Sequence, residues 1–159
     1  RASMKDKLFD KIPDDQKFDE LTFDNLNEVM NRIKNEDPKY NNVIIFDDMT
    51  AYLKNPETKK LLKELIFNRR HLRCSIFFLV QTWFSIEKDI RKLFSNVFVF
   101  RVSNNEMQTI FSEIVESKEK YINEIAKMVY SEPYKYLFIN VNTQRLFDGW
   151  NELIFNDDE

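Results

Sequence analysis

Glycine is nearly missing from this chain: 159 residues carry one, Gly149. A loop that cradles phosphate needs several, because backbone N–H groups close round an anion only where side chains do not intrude. Neither a Walker A loop nor a dinucleotide-binding Gly-rich turn can be assembled from these residues. Cysteine is equally scarce. Cys74 alone leaves no internal disulfide and no cysteine-based zinc site, and a reducing, intracellular setting is expected. Long apolar runs are also lacking. The longest, Ser75–Val80 with its flanks, falls far short of the roughly 20 residues that cross a bilayer. No basic segment followed by an apolar one opens the chain, so a secretory signal is not expected. A net charge of −3 argues against a dedicated nucleic-acid coat or tail, yet leaves room for local basic patches.

What is present is a globular balance, 43% hydrophobic against 32% charged, in a length that supports one core. Fifteen Phe imply a bulky aromatic core, or aromatic faces left open for neighbours. The first residue is Arg, so the chain reads as a segment of a longer polypeptide or as one whose own start is Met4. Up to about Gln16 the composition predicts a helical turn and loop. Leu21, Leu26, Val29, Met30 and Ile33 recur at helical spacing and predict a helix near 23–35, with Asp24 as its N-cap and Pro38 beyond its end. Residues 1–40 thus form a helical lead-in. A buried parallel strand is expected at 42–48, a helix at 56–68 with Pro56 in its first turn, and a second strand at 74–80. A short helix at 86–94, a third buried strand at 97–100, and helices at 104–116 and 118–130 follow. Residues 134–155 read as a hairpin, 136–141 and 145–147 flanking Asn142-Thr143-Gln144. Asn156–Glu159 is a short acidic tail. The alternation of strands and helices predicts an α/β fold: a three-layer sandwich with a mainly parallel sheet, ending in a β-hairpin.

The chemistry concentrates where apolar strands stop at polar residues. In open parallel sheets, ligands bind beyond the carboxyl ends of the strands. There Asp47 can hold Mg²⁺ and Asp48 can orient or deprotonate a water. Gln81, closing the neighbouring strand, can reach a γ-phosphate or that water. The bland account is a strand that runs into a loop beginning with two solvated acids.

The run Asn-Val-Ile-Ile-Phe-Asp-Asp (42–48), then Asn-Arg-Arg-His-Leu-Arg-Cys-Ser-Ile-Phe-Phe-Leu-Val-Gln-Thr (68–82), then Asp-Ile-Arg-Lys-Leu-Phe-Ser-Asn-Val-Phe-Val-Phe (89–100) resembles the genome-packaging ATPases of poxviruses and other large double-stranded DNA viruses. These belong to the FtsK–HerA class of P-loop motors, and the resemblance spans roughly residues 40–155. It implies that Asp47 is the Mg²⁺ ligand, Asp48 the catalytic acid and Gln81 the polar sensor. Asp47, Asp48 and Gln81 would together contact Mg²⁺-ATP. Arg70 matches as an arginine finger toward a neighbouring subunit, with Arg91 a second candidate. Their alternative roles are a cap on helix 56–68 and a solvated helix charge. His71 fits the motif, and a hydrogen-bonded structural role suits it better. The resemblance further implies a homo-oligomeric ring that moves double-stranded DNA into a capsid, capsid or portal-vertex partners, and a host-cytoplasmic (viral factory) or virion location. Arg69, Arg70, Arg73, Arg91 and Lys92 are the candidate DNA-facing cations. The family's first strand, Walker A loop and second strand have no counterpart here. In the class the P-loop strand lies between the strands matching 75–80 and 97–101, so the chain reads as a partial domain with little ATPase activity by itself.

Two other readings remain. A metal-dependent nuclease would add carboxylates such as Glu87 and Asp89 to the Asp47–Asp48 pair. A degenerate, non-catalytic relative would act as a protein- or DNA-binding module, using Trp83 and Phe84 as interface aromatics unless they pack on helix 86–94.

Overall fold

A computed structural model describes residues 9–115 and 119–155. The first eight residues of the expected opening loop, the ends of two expected helices at 116–118, and the acidic tail lie outside them. The chain packs as two compact units, Arg1–Gln81 and Thr82–Glu159.

In the first unit, helix α1 (Phe23–Asn35) buries Leu26 and Met30, and α2 (Pro56–Asn68) buries Leu62, Leu65 and Ile66. The cap of α1 is Thr22, whose hydroxyl accepts from the Asn25 N–H at 3.2 Å. Asp24, expected as the cap, is the second helical residue, where a carboxylate faces the positive end of the helix dipole. Thr22→Ala should therefore lower stability by about 1 kcal/mol, and Asp24→Asn by only about 0.3 kcal/mol, in urea titrations. At α2 the Asn55 side chain accepts from the N–H groups of Glu57 and Thr58, and Pro56 occupies the first turn, where its missing N–H costs nothing.

Helix α2 links β1 (Asn42–Asp47) to β2 (Cys74–Leu79), and the two strands pair in parallel from Asn42↔Cys74 to Asp47↔Leu79. Alternation along each strand decides what faces the core. Phe46 and Phe78 stack at 4.9 Å on the inner face, beside Leu21, Met49 and Leu53. Val43 (60% exposed), Ile45, Phe77 and Leu79 line the other face and lie open. Burial of Cys74 pushes its thiol pKa up.

The second unit holds α3 (Lys88–Arg91), β3 (Asn96–Val99), α4 (Asn104–Ile114), α5 (Ile122–Val129), β4 (Leu137–Asn140), β5 (Arg145–Asp148) and β6 (Asn151–Glu152). Its sheet runs β3–β4–β5–β6 and every pairing is antiparallel. Val99, Leu137, Ile139 and Leu146 point inward onto Met107, Ile110, Phe111, Ile125 and Val129 of α4 and α5. The Tyr130 hydroxyl donates to the Val99 carbonyl at 2.8 Å, and burial raises its pKa well above the usual range.

The architecture is thus mixed α/β, with a small parallel sheet and a separate antiparallel one. The expected third parallel strand is instead the antiparallel partner of β4. Its sequence hid the alternation, because the outward residues are also apolar. Phe98 stacks on Phe138 at 4.8 Å, Phe138 on Phe147 at 5.1 Å, and Phe100 leans on Tyr136. The C-terminal hairpin forms, with Asn140 opposite Arg145. It gains a further strand, β6, through a turn at Gly149, whose φ of +58° suits a residue without Cβ. The helix expected over 86–94 shrinks to four residues, preceded by a 3-10 turn at Trp83–Ser85. Among the described residues no helix is long and apolar enough to cross a membrane.

Candidate functional site

Parallel pairing brings the carboxyl ends of β1 and β2 side by side. The ladder continues one step past the strands, with the Asp48 N–H donating to the Leu79 carbonyl at 3.0 Å. Asp47 shares the open face of β1 with Val43 and Ile45, and is half-buried. At Asp48 the chain turns through φ +50°, a left-handed conformation that Asp and Asn adopt more readily than other residues with side chains. That turn aims the exposed carboxylate of Asp48 at the end of β2. There the Gln81 amide donates from Nε2 to Asp48 Oδ2 at 3.0 Å. Two residues 33 positions apart, selected as catalytic acid and sensor, are therefore in contact. An exposed bond of this kind contributes only about 1 kcal/mol, so its significance is geometric.

Arg70 lies elsewhere. It is exposed in the turn between α2 and β2, at the amino ends of the strands. Six residues of strand separate that end from Asp48, a span of about 20 Å. The cap on α2 comes from its neighbour: Arg69 Nη1 donates to the Ile66 carbonyl at 2.8 Å. His71 is exposed in the same turn, and no ring hydrogen bond tethers it among the described residues. Arg73 closes the turn at φ +47°.

Arg91 is not a solvated charge. It is 7% exposed, donates from Nη2 to Glu113 Oε1 at 2.8 Å and from Nη1 to the Trp83 carbonyl at 2.9 Å. Nor is Trp83 an interface aromatic; it is buried, and Phe84 alone of the pair stays open. This network escaped the sequence reading. Ser103 and Glu106 carry the spacing of a capping box, which would send Glu106 back to the Ser103 backbone; its carboxylate instead accepts from the Trp83 N–H.

Among the described residues no three His, Cys, Asp or Glu side chains form a metal-binding group. Magnesium in nucleotide sites does not require one, since it keeps several waters and binds through one or two carboxylates plus phosphate oxygens. The strand-end pair Asp47–Asp48 supplies hard oxygen donors of that kind.

No curated protein and no solved structure gives a significant match to the chain. A family model described as poxvirus A32 protein matches residues 14–155. That span holds both strand ends, the Gln81–Asp48 contact and the whole antiparallel sheet. The chain belongs to the poxvirus A32 protein family, which is associated with viral genome packaging.

Proposed function

We propose that this chain supplies the acidic and sensor side of an ATP site in a genome-packaging motor of the FtsK–HerA class. The observation that carries the reading is the contact of Gln81 with Asp48 at the carboxyl ends of two adjacent parallel strands. Asp47 would coordinate Mg²⁺, which neutralises developing charge on the phosphates when bound. Asp48 would accept a proton from, or orient, the attacking water, and the Gln81 amide would fix that carboxylate's direction. Arg70 would reach the nucleotide of a neighbouring subunit in a ring.

With one glycine, these residues do not make a phosphate cradle, so its backbone amides, Lys and Ser/Thr would come from outside them. The two-stranded parallel sheet is what supports the reading as part of a three-layer P-loop sandwich. Strand β2 has one strand partner among the described residues, and one apolar face is open. Parallel strands are ordinarily covered on both faces, so a further strand and layer would complete the fold. Double-stranded DNA would be the substrate moved and a capsid vertex the docking partner, in the infected cytoplasm or the virion.

The test joins the chain to a polypeptide bearing an apolar strand and a Gly-x-x-x-x-Gly-Lys-Ser/Thr loop of the same family. Mg²⁺-dependent ATP hydrolysis is expected from the combination and not from either part, with stimulation by duplex DNA. An oligomeric combination that binds DNA yet hydrolyses nothing would favour a binding module.

A further inference from the structure

The outer face of the antiparallel sheet carries aromatic surface that the core does not use, and every residue concerned lies in the second unit. Phe98, Phe138 and Phe147 form a row across β3, β4 and β5, ring stacked on ring. Trp150 meets Phe98 at 6.0 Å and 75°, Phe138 at 5.5 Å and 61°, and Tyr136 at 6.3 Å and 81°. A ring close to both members of a stacked pair, and steeply inclined to each, lies across their edges and not at the end of the stack. The indole is therefore supported on its sheet side, while 72% of its surface stays open. Leu137, Ile139 and Leu146 already fill the inner face, so the core has no need of an indole here. Contiguous exposed aromatic surface of this kind marks a place of binding.

The turn that carries Trp150 is fixed. Gly149 takes φ +58°, and its N–H donates to the Tyr136 carbonyl at 3.1 Å. Beyond the turn the Leu153 N–H donates to the Leu146 carbonyl at 2.8 Å. The indole is thus placed before a ligand arrives, and little freedom remains there to be lost on binding.

Charge indicates the kind of ligand. Glu152 on β6 is paired with Arg145 at 3.0 Å, and Glu132, ahead of β4, faces Lys135 at 3.9 Å. Arg101 follows Phe100, whose ring leans on Tyr136; it is exposed and has no ion-pair partner among the described residues. Arg101 would repel a lysine- or arginine-bearing partner. A flat π surface with an uncompensated cation at its margin suits a planar group that brings negative charge with it. An unstacked nucleotide has both parts, base and phosphate. A duplex keeps its base faces to itself.

We propose that this outer face binds single-stranded DNA, with a base stacked on Trp150 and a nearby backbone phosphate held by Arg101. With so few cations, stacking carries the affinity and the salt dependence is shallow, in keeping with a net charge of −3. Asp47, Asp48 and Gln81 take no part, so this site and the ATP-site reading stand or fall separately.

The experiment titrates the 159-residue chain with a short oligothymidylate at low salt and follows tryptophan emission. Trp83 is buried, so quenching by a stacked base reports on Trp150. Trp150→Leu should abolish the quenching and weaken binding about tenfold, the scale lost with one stacking partner. Trp150→Tyr, which keeps a smaller ring, should recover part of that loss. Arg101→Gln should leave quenching at saturation intact and flatten the slope of log affinity against log salt by about 0.7, the share of one phosphate contact on a single strand. A duplex of equal length should bind more weakly and quench little. Affinity unchanged in folded Trp150→Leu, or a duplex that binds as well as the single strand, overturns the proposal. So does a chain that leaves the oligonucleotide unbound, which would give the face to a protein partner.

Discussion

Asp48→Asn is expected to lower kcat for ATP hydrolysis by about 10²–10⁴-fold in the proposed combination with a P-loop-bearing polypeptide, the range lost when a positioned general base is removed. Asparagine is the informative substitute. Asp48 sits at φ +50°, a conformation Asn also tolerates, so the turn after β1 should persist while the proton acceptor is lost. The Gln81 amide can still donate to the remaining side-chain oxygen. A large fall in kcat is then chemistry and not a broken turn. Asp47→Asn should behave differently. If Asp47 binds Mg²⁺, its loss raises the Mg²⁺ concentration needed for half-maximal rate, and part of the activity returns at high Mg²⁺. Two acids in succession would thus be separated by their response to metal. Turnover within about twofold of the parent for Asp48→Asn would remove the catalytic assignment.

Much of the first unit was legible because its signals are local. The bounds of α1 and α2 follow from helical spacing and from breakers at Pro38 and Pro56. Strands β1 and β2 are apolar runs cut off by Asp47-Asp48 and by Gln81. Their roles could be guessed from strand-end chemistry, but the contact between Gln81 and Asp48 depends on the β1–β2 register, which no single segment encodes. The second unit was harder for a definite reason. Outward positions usually betray a half-exposed strand by being polar, and here they are Phe98, Phe138 and Phe147, stacked on one another on the outer face of the sheet. An uninterrupted apolar run therefore looked buried on both faces. Strand β6, two residues long, carries no period at all. The contacts of Trp83 gather Arg91, Glu106 and Glu113 from two helices, so Arg91, taken alone, has the pattern of an ordinary solvated helix charge, and nothing local singles out the two glutamates.

Arg70 is where the geometry makes the sharpest demand. It stands at the amino ends of the strands and Asp48 at the carboxyl ends, about 20 Å apart across six residues of β2, several times the reach of an arginine side chain. A finger at Arg70 cannot serve the Asp48 of its own chain; it can serve only that of a neighbour stacked head to tail. Such a heterologous contact closes into a ring when its rotation permits. The same ends differ in charge, with Arg69, Arg70 and Arg73 at one and Asp47 and Asp48 at the other. Opposite signs would bring them together across a subunit boundary. Arg70→Ala should then lower kcat by about 10³-fold or more, the scale on which fingers act in phosphoryl transfer. Mixing supplies the decisive arm. Subunits carrying Arg70→Ala and subunits carrying Asp48→Asn are each nearly inactive alone, yet mixed rings would contain interfaces pairing an intact Arg70 with an intact Asp48. Recovery of hydrolysis in mixtures, peaking near equal proportions, is the expected result. No recovery from mixed rings whose assembly is verified by mass would place the finger on another residue.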